Sequence, residues 1–292
     1  MASGHGPGEV TWVEVPGGRL AVEIFGSEIE PVLAIHGTSS QRKLWNWLRA
    51  AAPDLSLIAP DLRGRGDSVG VTLSSSIGRH AADMVLVLNN LGLEAVHVCG
   101  MSMGGFVAVE MATAFPGRVK SLILVDGGFP MAVPPGLTPE TLPTLFASRL
   151  ARMDREFGSV REYAKFFTRT APLLDPDDPL LLDYLAHDLY GPLVRLDADA
   201  LMADAADIFF GSSKWRQLQV PVRLLTAEWS TGAGSAPAYP AEAVQAFRDA
   251  LDVLVTVRPV PGVDHAASIM TMTGARATAD LIAEALAAEM LA

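Results

Sequence analysis

The feature that most constrains the fold is a series of short apolar runs that each end at turn-forming residues. These runs are Pro31–Ile35, Leu55–Ala59, Ala95–Cys99 and Val119–Val125. None of them alternates apolar with polar residues, as a strand with one solvent-exposed face would. Short continuous apolar runs bounded by turns are typical of strands that are buried on both faces of a parallel sheet.

Helical patterns separate these runs, at Leu44–Ala52, Ile77–Leu91 and Phe106–Phe115. Alternating strands and helices predict a doubly wound α/β sheet with helices on both of its faces. Upstream of them, a Pro-Gly-Gly turn separates the strand-like runs Val10–Val15 and Arg19–Phe25. We therefore expect an antiparallel hairpin at the start of the chain.

The alternation stops after Asp126. From Met131 to about Trp215 the sequence shows no strand pattern, and its helical patterns are interrupted by prolines: Leu142–Met153, Val160–Arg169, Leu180–Leu189 and Ala198–Phe210. Strand-like runs return at Val222–Leu225 and Val253–Val257, with helical patterns at Ala241–Leu251 and Gly274–Leu291. We therefore expect a core domain formed by residues 1–130 and 216–292, with a helical cap domain over 131–215.

A candidate nucleophile lies between the third apolar run and the helical pattern that follows it. Gly100-Met101-Ser102-Met103-Gly104 matches the pattern G-x-S-x-G, and a strand-turn-helix context gives this pattern its meaning. Such a turn holds the serine at a strained, positive φ and exposes its hydroxyl group. Small residues flank it because the strand and the helix approach closely there. The motif therefore predicts Ser102 as a nucleophile.

On these features the chain resembles the α/β-hydrolase superfamily over nearly its whole length. The resemblance also rests on His36-Gly37 after the third strand, Asp61-Leu62-Arg63-Gly64-Arg65-Gly66-Asp67-Ser68 after the fourth, and Gly262-Val263-Asp264-His265 near the end. It implies the α/β-hydrolase fold, a mostly parallel eight-stranded sheet with helices on both faces and an inserted helical cap. The stretch from Asp61 to Ser68 matches neither phosphate-binding glycine pattern, so we interpret it as a structural loop.

The resemblance also implies most of a catalytic site. It places the general base at His265, in the loop before the last helix, because a serine hydroxyl needs a base to accept its proton. It places the two oxyanion donors on the backbone N–H groups of Met103 and Thr38. The His36-Gly37 pair shapes the loop that carries Thr38.

The orienting acid is where the chain departs from the family pattern. The family usually carries this acid after the strand that follows the cap, and here Ser230 occupies that position. A minority of the superfamily places the acid after the preceding strand, where Asp126 lies. Glu228 lies two residues before the usual position and has a longer side chain. We expect Asp126 to be the acid, and Glu228 is the alternative.

The predicted function is a serine hydrolase that cleaves a carboxylic ester or a lactone through an acyl-enzyme on Ser102. The resemblance implies no metal and no organic cofactor. A C–C bond hydrolase, a thioesterase or a perhydrolase would use the same residues, and a weakly catalytic ligand receptor of this fold would retain them. The aromatic side chains of the cap favour a small, hydrophobic substrate.

Composition excludes several other classes. A net charge of −11 argues against binding to nucleic acid or to an anionic membrane. Cys99 is the single cysteine, which rules out an intrachain disulfide and argues against a cysteine-based zinc site. Met1–Glu9 lacks the pattern of a signal peptide, and no apolar run reaches the roughly 20 residues that span a bilayer. We expect a cytoplasmic protein, and the sequence leaves open whether it forms a homo-oligomer.

Overall fold

Ten strands lie in the part of the chain that the computed structural model describes, which is residues 8–26, 30–71 and 73–289. They are β1 Glu9–Val15, β2 Gly18–Phe25, β3 Val32–Ile35, β4 Leu57–Pro60, β5 Val96–Met101, β6 Val119–Val125, β7 Leu189–Tyr190, β8 Leu193–Val194, β9 Val222–Trp229 and β10 Val255–Asp264. The Gly-rich N-terminus with His5, and Leu291 at the end of the predicted closing helix, lie outside the described residues.

Eight of these strands form one sheet, in the order β1-β2-β4-β3-β5-β6-β9-β10. Strand β2 is antiparallel to both of its neighbours, β1 and β4, and the other pairs are parallel. The sheet confirms the predicted α/β-hydrolase fold, including the opening hairpin. Parallel strands present their carboxyl ends at one edge of the sheet, and this edge receives the loops that carry the candidate site.

Ten α-helices lie among the described residues, and five of them cover the two faces of the sheet. They are α1 Asn46–Ala51, α2 Ile77–Asn90, α3 Met103–Ala114, α4 Leu142–Leu145, α5 Ala147–Ala151, α6 Val160–Phe167, α7 Pro179–Asp188, α8 Ala198–Phe210, α9 Ala241–Asp249 and α10 Met272–Glu289. One face packs against α2, α3 and α9, and the other against α1 and α10. In β3, Leu33 and Ile35 face the first group and Val32 and Ala34 the second, which explains why this strand is apolar throughout. Within the described ranges, no helix combines the length and the apolar character needed to cross a bilayer.

The inserted segment (residues 131–215) differs from its prediction in two respects. The expected helix Leu142–Met153 is divided into the two short helices α4 and α5. The segment also contains strands, which the sequence did not indicate: β7 and β8 form an antiparallel pair around Gly191, whose φ is +61°. Strands of two residues are too short to produce a periodic pattern. Neither strand joins the main sheet, and the division into core and cap domains stays a prediction.

Several predicted boundaries are also corrected. The expected strand Val253–Val257 begins at Val255 and continues to Asp264, past two prolines, because β10 is an edge strand on which a missing N–H is tolerated. The expected strand Val222–Leu225 continues to Trp229. The helix expected from Phe106 begins at Met103, directly after the serine. These extensions fix where the last loops leave the sheet.

The turn between β5 and α3 is packed too closely for a side chain at either of the glycines that flank Ser102. A Cβ atom added to Gly104 would lie 1.9 Å from the backbone oxygen of Ile35, at the end of β3. A Cβ atom added to Gly100 would lie 2.2 Å from the backbone oxygen of Gly104. Because these neighbours are backbone atoms of a central strand and of the turn itself, they cannot move aside cheaply. The glycines of the motif therefore determine how deeply α3 sits against the sheet.

We expect Gly104→Ala to lower the free energy of unfolding by at least about 2 kcal/mol, because the added methyl group separates α3 from β3. Gly78→Ala is the matched control, since a Cβ atom at this position in α2 meets no other atom within 4 Å. It should leave stability unchanged or raise it by about 0.4–1 kcal/mol. Urea titrations measure both changes, and equal midpoints for the two variants would contradict the close packing.

Candidate active site

Three residues of the predicted site follow strands that end at the same edge of the sheet. Ser102 follows β5, Asp126 follows β6 and His265 follows β10. His265 Nε2 lies 3.0 Å from Ser102 Oγ, and His265 Nδ1 lies 2.6 Å from Asp126 Oδ2. The structure therefore brings the serine, the histidine and the aspartate into one hydrogen-bonded chain. Such a chain can move a proton from the hydroxyl to the imidazole while the carboxylate stabilises the resulting imidazolium.

Two of these residues have a strained backbone. Ser102 has a φ of +55° and Asp126 a φ of +46°, and among the described residues other than glycine only these two are positive. Each such conformation costs on the order of 1–3 kcal/mol unless the surroundings hold it in place. Here, Ser102 N donates a hydrogen bond to Val125 O at 3.0 Å, and Asp126 N donates one to Leu225 O at 2.9 Å. The sheet's own hydrogen bonds thus continue into both turns and hold them.

Asp126 is completely buried, and its second oxygen also has a donor. Asp126 Oδ1 accepts a hydrogen bond from Ala227 N at 3.1 Å, while Oδ2 faces His265. The side chain of His265 is 28% exposed, so its Nε2 edge is accessible from the cavity that contains Ser102. A carboxylate with both oxygens engaged has one fixed orientation, which in turn fixes the orientation of the imidazole ring.

The alternative acid lies elsewhere. Glu228 is exposed, and its Oε2 accepts a hydrogen bond from Gly262 N at 2.7 Å. Ser230, at the family's usual acid position, shares a 3.4 Å contact with the hydroxyl of Ser235. The structure therefore does not bring Glu228 to His265, whereas it does bring Asp126 there. The catalytic roles of these residues stay predictions.

Asp264 supports the loop that carries His265, a role that the sequence analysis did not assign. Its buried carboxylate accepts hydrogen bonds from Ala267 N and Gly232 N, both at 2.9 Å. Ser268 Oγ donates a further hydrogen bond to His265 O at 2.7 Å. The sequence signal was present, since Asp264 directly precedes His265. Sequence alone could not distinguish its buried carboxylate from that of an ordinary loop residue.

The two predicted oxyanion donors lie beside Ser102. Met103 is the first residue of α3, so its N–H belongs to the turn that has no acceptor within the helix. Thr38 follows Gly37, at which an added Cβ atom would lie 3.2 Å from Ser102 Cβ. Arg65 Nε donates a 2.9 Å hydrogen bond to Thr38 O, which fixes the carbonyl group of this loop. Both residues line the same cavity as Ser102, and their roles as donors stay predictions.

His36 stabilises the loop after β3, which carries Thr38. Its side chain is completely buried, Nε2 accepts a hydrogen bond from Leu62 N at 3.0 Å, and Nδ1 donates one to Gly37 O at 2.9 Å. Burial lowers the pKa of His36 to about 4, so the ring is neutral at pH 7. His36 thereby joins the loop after β3 to the loop after β4.

The loop after β4 makes structural contacts, as predicted from its sequence. Asp61 accepts hydrogen bonds from Arg42 N at 2.7 Å and from Asp67 N at 2.9 Å. Arg63 forms a buried ion pair with Asp83 of α2, with Nε at 2.8 Å from Oδ2. These contacts fix the conformation of the loop after β4. None of them involves Ser102.

Comparison with known proteins decides the family. Residues 32–281 match the description "Alpha/beta hydrolase family", which covers most of the chain. The chain belongs to the α/β hydrolase family. This assignment agrees with the eight-stranded sheet and with the resemblance seen in the sequence.

Individual relatives of this α/β hydrolase are distant. An uncharacterized protein of Mycobacterium bovis is 39% identical over 115 residues, which are 39% of this chain and 33% of that protein. The chain thus spans about a third of the length of the curated relatives that it matches first. Among solved structures, a thioesterase domain from the curacin biosynthetic pathway has a TM-score of 0.72 at 24% identity, over 94% of this chain and 99% of its own. A thermophilic esterase from Thermogutta terrifontis has a TM-score of 0.67 at 21% identity, over 96% and 98%. At these identities, the two structures show the fold alone.

A cavity of about 360 Å³ is lined by Ser102 in this α/β hydrolase. The core contributes Ser102 and His265 to its wall, and the inserted segment contributes aromatic rings that include Phe146, Phe167 and Phe209. Two arginines, Arg149 and Arg152, also line it, which the sequence analysis missed. Their spacing of three residues places them on one face of a helical turn, a weak signal that applies to many surface arginines.

Two groups of side chains among the described residues have the spacing of metal ligands. They are Glu30–His97–Glu289 and Asp61–Asp67–His187. In both groups a side-chain cation is already paired with the carboxylates. Lys120 contacts Glu30 and Glu289, and Arg42 contacts Asp61 and Asp67. Both groups are therefore built as ion-pair networks, and neither faces Ser102.

The lowered pKa of His36 predicts a pH dependence of stability. At pH 5 the unfolded chain binds a proton at this histidine, whose ordinary pKa is about 6.5, while the folded chain does not. Acidification therefore favours unfolding, and His36 alone should cost about 2 kcal/mol between pH 7.5 and pH 5. We expect the free energy of unfolding of His36→Gln to fall less steeply over this range. Parallel curves for the two proteins, measured by urea titration, would contradict the buried neutral state.

Proposed function

We propose that this α/β hydrolase is a serine hydrolase that cleaves a carboxylic ester, either linear or cyclic. The observation that carries the proposal is the hydrogen-bonded chain from Ser102 through His265 to Asp126, at a strained turn between a strand and a helix. The chain of contacts supplies a nucleophile, a base and an orienting acid in the geometry that acyl transfer requires.

The proposed reaction begins when Ser102 Oγ attacks the ester carbonyl and His265 Nε2 accepts its proton. Asp126 holds the Nδ1 proton and stabilises the imidazolium. The N–H groups of Met103 and Thr38 stabilise the negative charge on the carbonyl oxygen in the tetrahedral intermediate. His265 then protonates the departing alcohol, which leaves an acyl group on Ser102. In the second half of the reaction, a water molecule deprotonated by His265 attacks the acyl carbon. The bond to Ser102 Oγ then breaks, and His265 returns its proton to Oγ as the acid leaves.

The inserted segment serves as a cap over this site in our proposal. Its aromatic rings face Ser102 across the cavity, so a bound acyl or alcohol group would lose most of its contact with water. Excluding water strengthens the electrostatic interactions on which the oxyanion donors depend. The segment would therefore determine which esters enter, while the core performs the reaction.

The esterase and the thioesterase domain that share this fold provide precedents for acyl transfer. Their low identity transfers no substrate to this chain. A thioester would meet the same nucleophile and the same oxyanion donors. The leaving group is therefore best decided by comparing an oxygen ester, a lactone and a thioester with the same acyl chain.

Ser102→Ala should abolish hydrolysis of p-nitrophenyl acetate and p-nitrophenyl octanoate, with a loss of roughly 10⁴-fold or more in kcat. The physical reason is that no other hydroxyl is hydrogen-bonded to His265 Nε2 among the described residues. Ser212→Ala, which changes an exposed serine beyond α8, is the control and should retain wild-type rates. Undiminished turnover by Ser102→Ala would refute the proposal.

Asp126→Asn should lower kcat by roughly 10²- to 10⁴-fold, with a much smaller change in KM. Asparagine tolerates the positive φ of position 126, so the backbone is retained while the charge beside His265 is lost. Glu228→Gln, an equally conservative change in the alternative acid, should alter kcat less than about threefold, because Glu228 contacts Gly262 instead. If Glu228→Gln caused the larger loss, Asp126 would not be the orienting acid.

A further inference from the structure

One wall of the cavity contains a buried arginine that the proposed reaction does not use. Arg152 follows helix α5, is only 4% exposed, and lines the same cavity as Ser102 and His265. A guanidinium stays charged in proteins and carries five N–H donors. Burying one is costly unless these donors and the charge are satisfied. The contacts of Arg152 therefore show whether its guanidinium group still needs an acceptor or a counter-charge from a ligand in the cavity.

The protein satisfies Arg152 only in part. Its Nη2 donates a hydrogen bond to Ser39 O at 2.6 Å. Its Nη1 lies 4.0 Å from Asp188 Oδ2, well beyond the 2.7–2.9 Å that is typical of a charge-assisted hydrogen bond. Its buried Nε has no hydrogen-bond partner in the described part of the chain. Nε is closed off from the cavity, but Nη1 also lacks a close acceptor, in a side chain that borders the cavity.

Asp188, the carboxylate that lies 4.0 Å from Arg152, also interacts with Tyr163. Asp188 accepts a hydrogen bond from the hydroxyl of Tyr163, and its burial raises the pKa of the carboxyl group. The oxygen that accepts from Tyr163 is Oδ2, the same atom that lies 4.0 Å from Arg152 Nη1. Asp188 is therefore not a close acceptor for Nη1, and no other acceptor is bonded to it in the described part of the chain.

A second arginine adds to this charge. Arg149 lines the same cavity, lies against the ring of Phe146 at 5.4 Å, and forms no ion pair within the described residues. Arg149 is exposed whereas Arg152 is buried, so the two guanidinium groups extend from solvent to the interior of the cavity. The chain as a whole carries a net charge of −11, so this pair is a local reversal of sign beside the nucleophile.

We infer that the cavity binds a carboxylate of the substrate on Arg152, while the ester carbonyl lies at Ser102. The inference rests on the proposed function and adds a substrate class to it, that of esters with an apolar chain and a free carboxylate. The planar edge of a guanidinium offers two parallel N–H groups, which match the two oxygens of a carboxylate. The rings of Phe166 and Phe167 line the cavity beside Arg152 and fit the apolar chain.

The test compares two esters with the same p-nitrophenyl leaving group and the same chain: mono-p-nitrophenyl adipate, which has a free carboxylate, and its methyl ester, in which a methyl group removes that charge. We expect the wild-type kcat/KM to be roughly 10- to 100-fold higher for the anionic ester, the range of one charge-assisted hydrogen bond. In Arg152→Gln this ratio should fall to about one. Arg155→Gln is the matched control, because Arg155 lies three residues further along, is exposed, and pairs with Glu162 instead. It should retain the wild-type ratio.

Arg152→Lys guards against a folding defect, since it retains a cation opposite Asp188 but lacks the planar edge. It should retain part of the preference, with a ratio several-fold below that of the wild type. A wild-type ratio near one, or a ratio unchanged in both Arg152 variants, would overturn the inference while leaving the proposed function intact. Stronger competitive inhibition by inorganic phosphate than by hexanoate would also overturn it, in favour of a phosphate group.

If neither ester is cleaved, a measurement of hexanoate binding still tests this inference independently of the proposed function. Hexanoate contains a carboxylate and an apolar chain but no ester bond. Calorimetric titration should give a dissociation constant at least about tenfold weaker for Arg152→Gln than for the wild type. That result would support the anion site even in a protein without esterase activity. Equal affinities for hexanoate in the two proteins would overturn it.

Discussion

The candidate site depends on the main-chain hydrogen bonds that join β5, β6 and β9. These bonds continue one residue beyond the strands, into the turns that begin at Ser102 and Asp126. Both residues have a positive φ, a conformation that an isolated turn would not retain. The register of three central strands therefore fixes the distance between nucleophile and acid. The third member, His265, is held by a separate set of bonds, chiefly those of Asp264.

Burial has different consequences for three titratable side chains around this site, Asp126, His36 and Arg152. Asp126 is buried with both oxygens hydrogen-bonded, so its charge is directed at His265. His36 is buried near Asp61, but desolvation outweighs this carboxylate, so the ring is neutral at pH 7 and supports the loop after β3 through its hydrogen bonds. Arg152 is buried and its Nη1 has no close acceptor, and a substrate carboxylate is our proposal for that partner. In our proposals, these three buried groups therefore serve catalysis, structure and recognition respectively.

The sequence predicted the sheet and the nucleophile turn because both depend on local patterns, whereas the choice of His265 came from the resemblance to the family. It left Asp126 and Glu228 open because both follow buried runs, and the choice depends on where β9 ends. The first six residues of β9 are buried, and this buried run ends at Ala227, so Glu228 is exposed near the end of the strand. The pair β7–β8 and the burial of Arg152 arise from contacts within the inserted segment. No periodicity of the sequence reports such contacts, so these features required the structure.

The central claim is that Ser102 is a nucleophile activated by His265. It is tested most directly by treating the protein with a fluorophosphonate, digesting it, and locating the adduct by mass spectrometry. The account predicts one adduct per chain, on the peptide that contains Ser102, and a labelling rate that falls sharply in His265→Gln. An adduct on a different residue, or labelling of Ser102 at the same rate without His265, would contradict it.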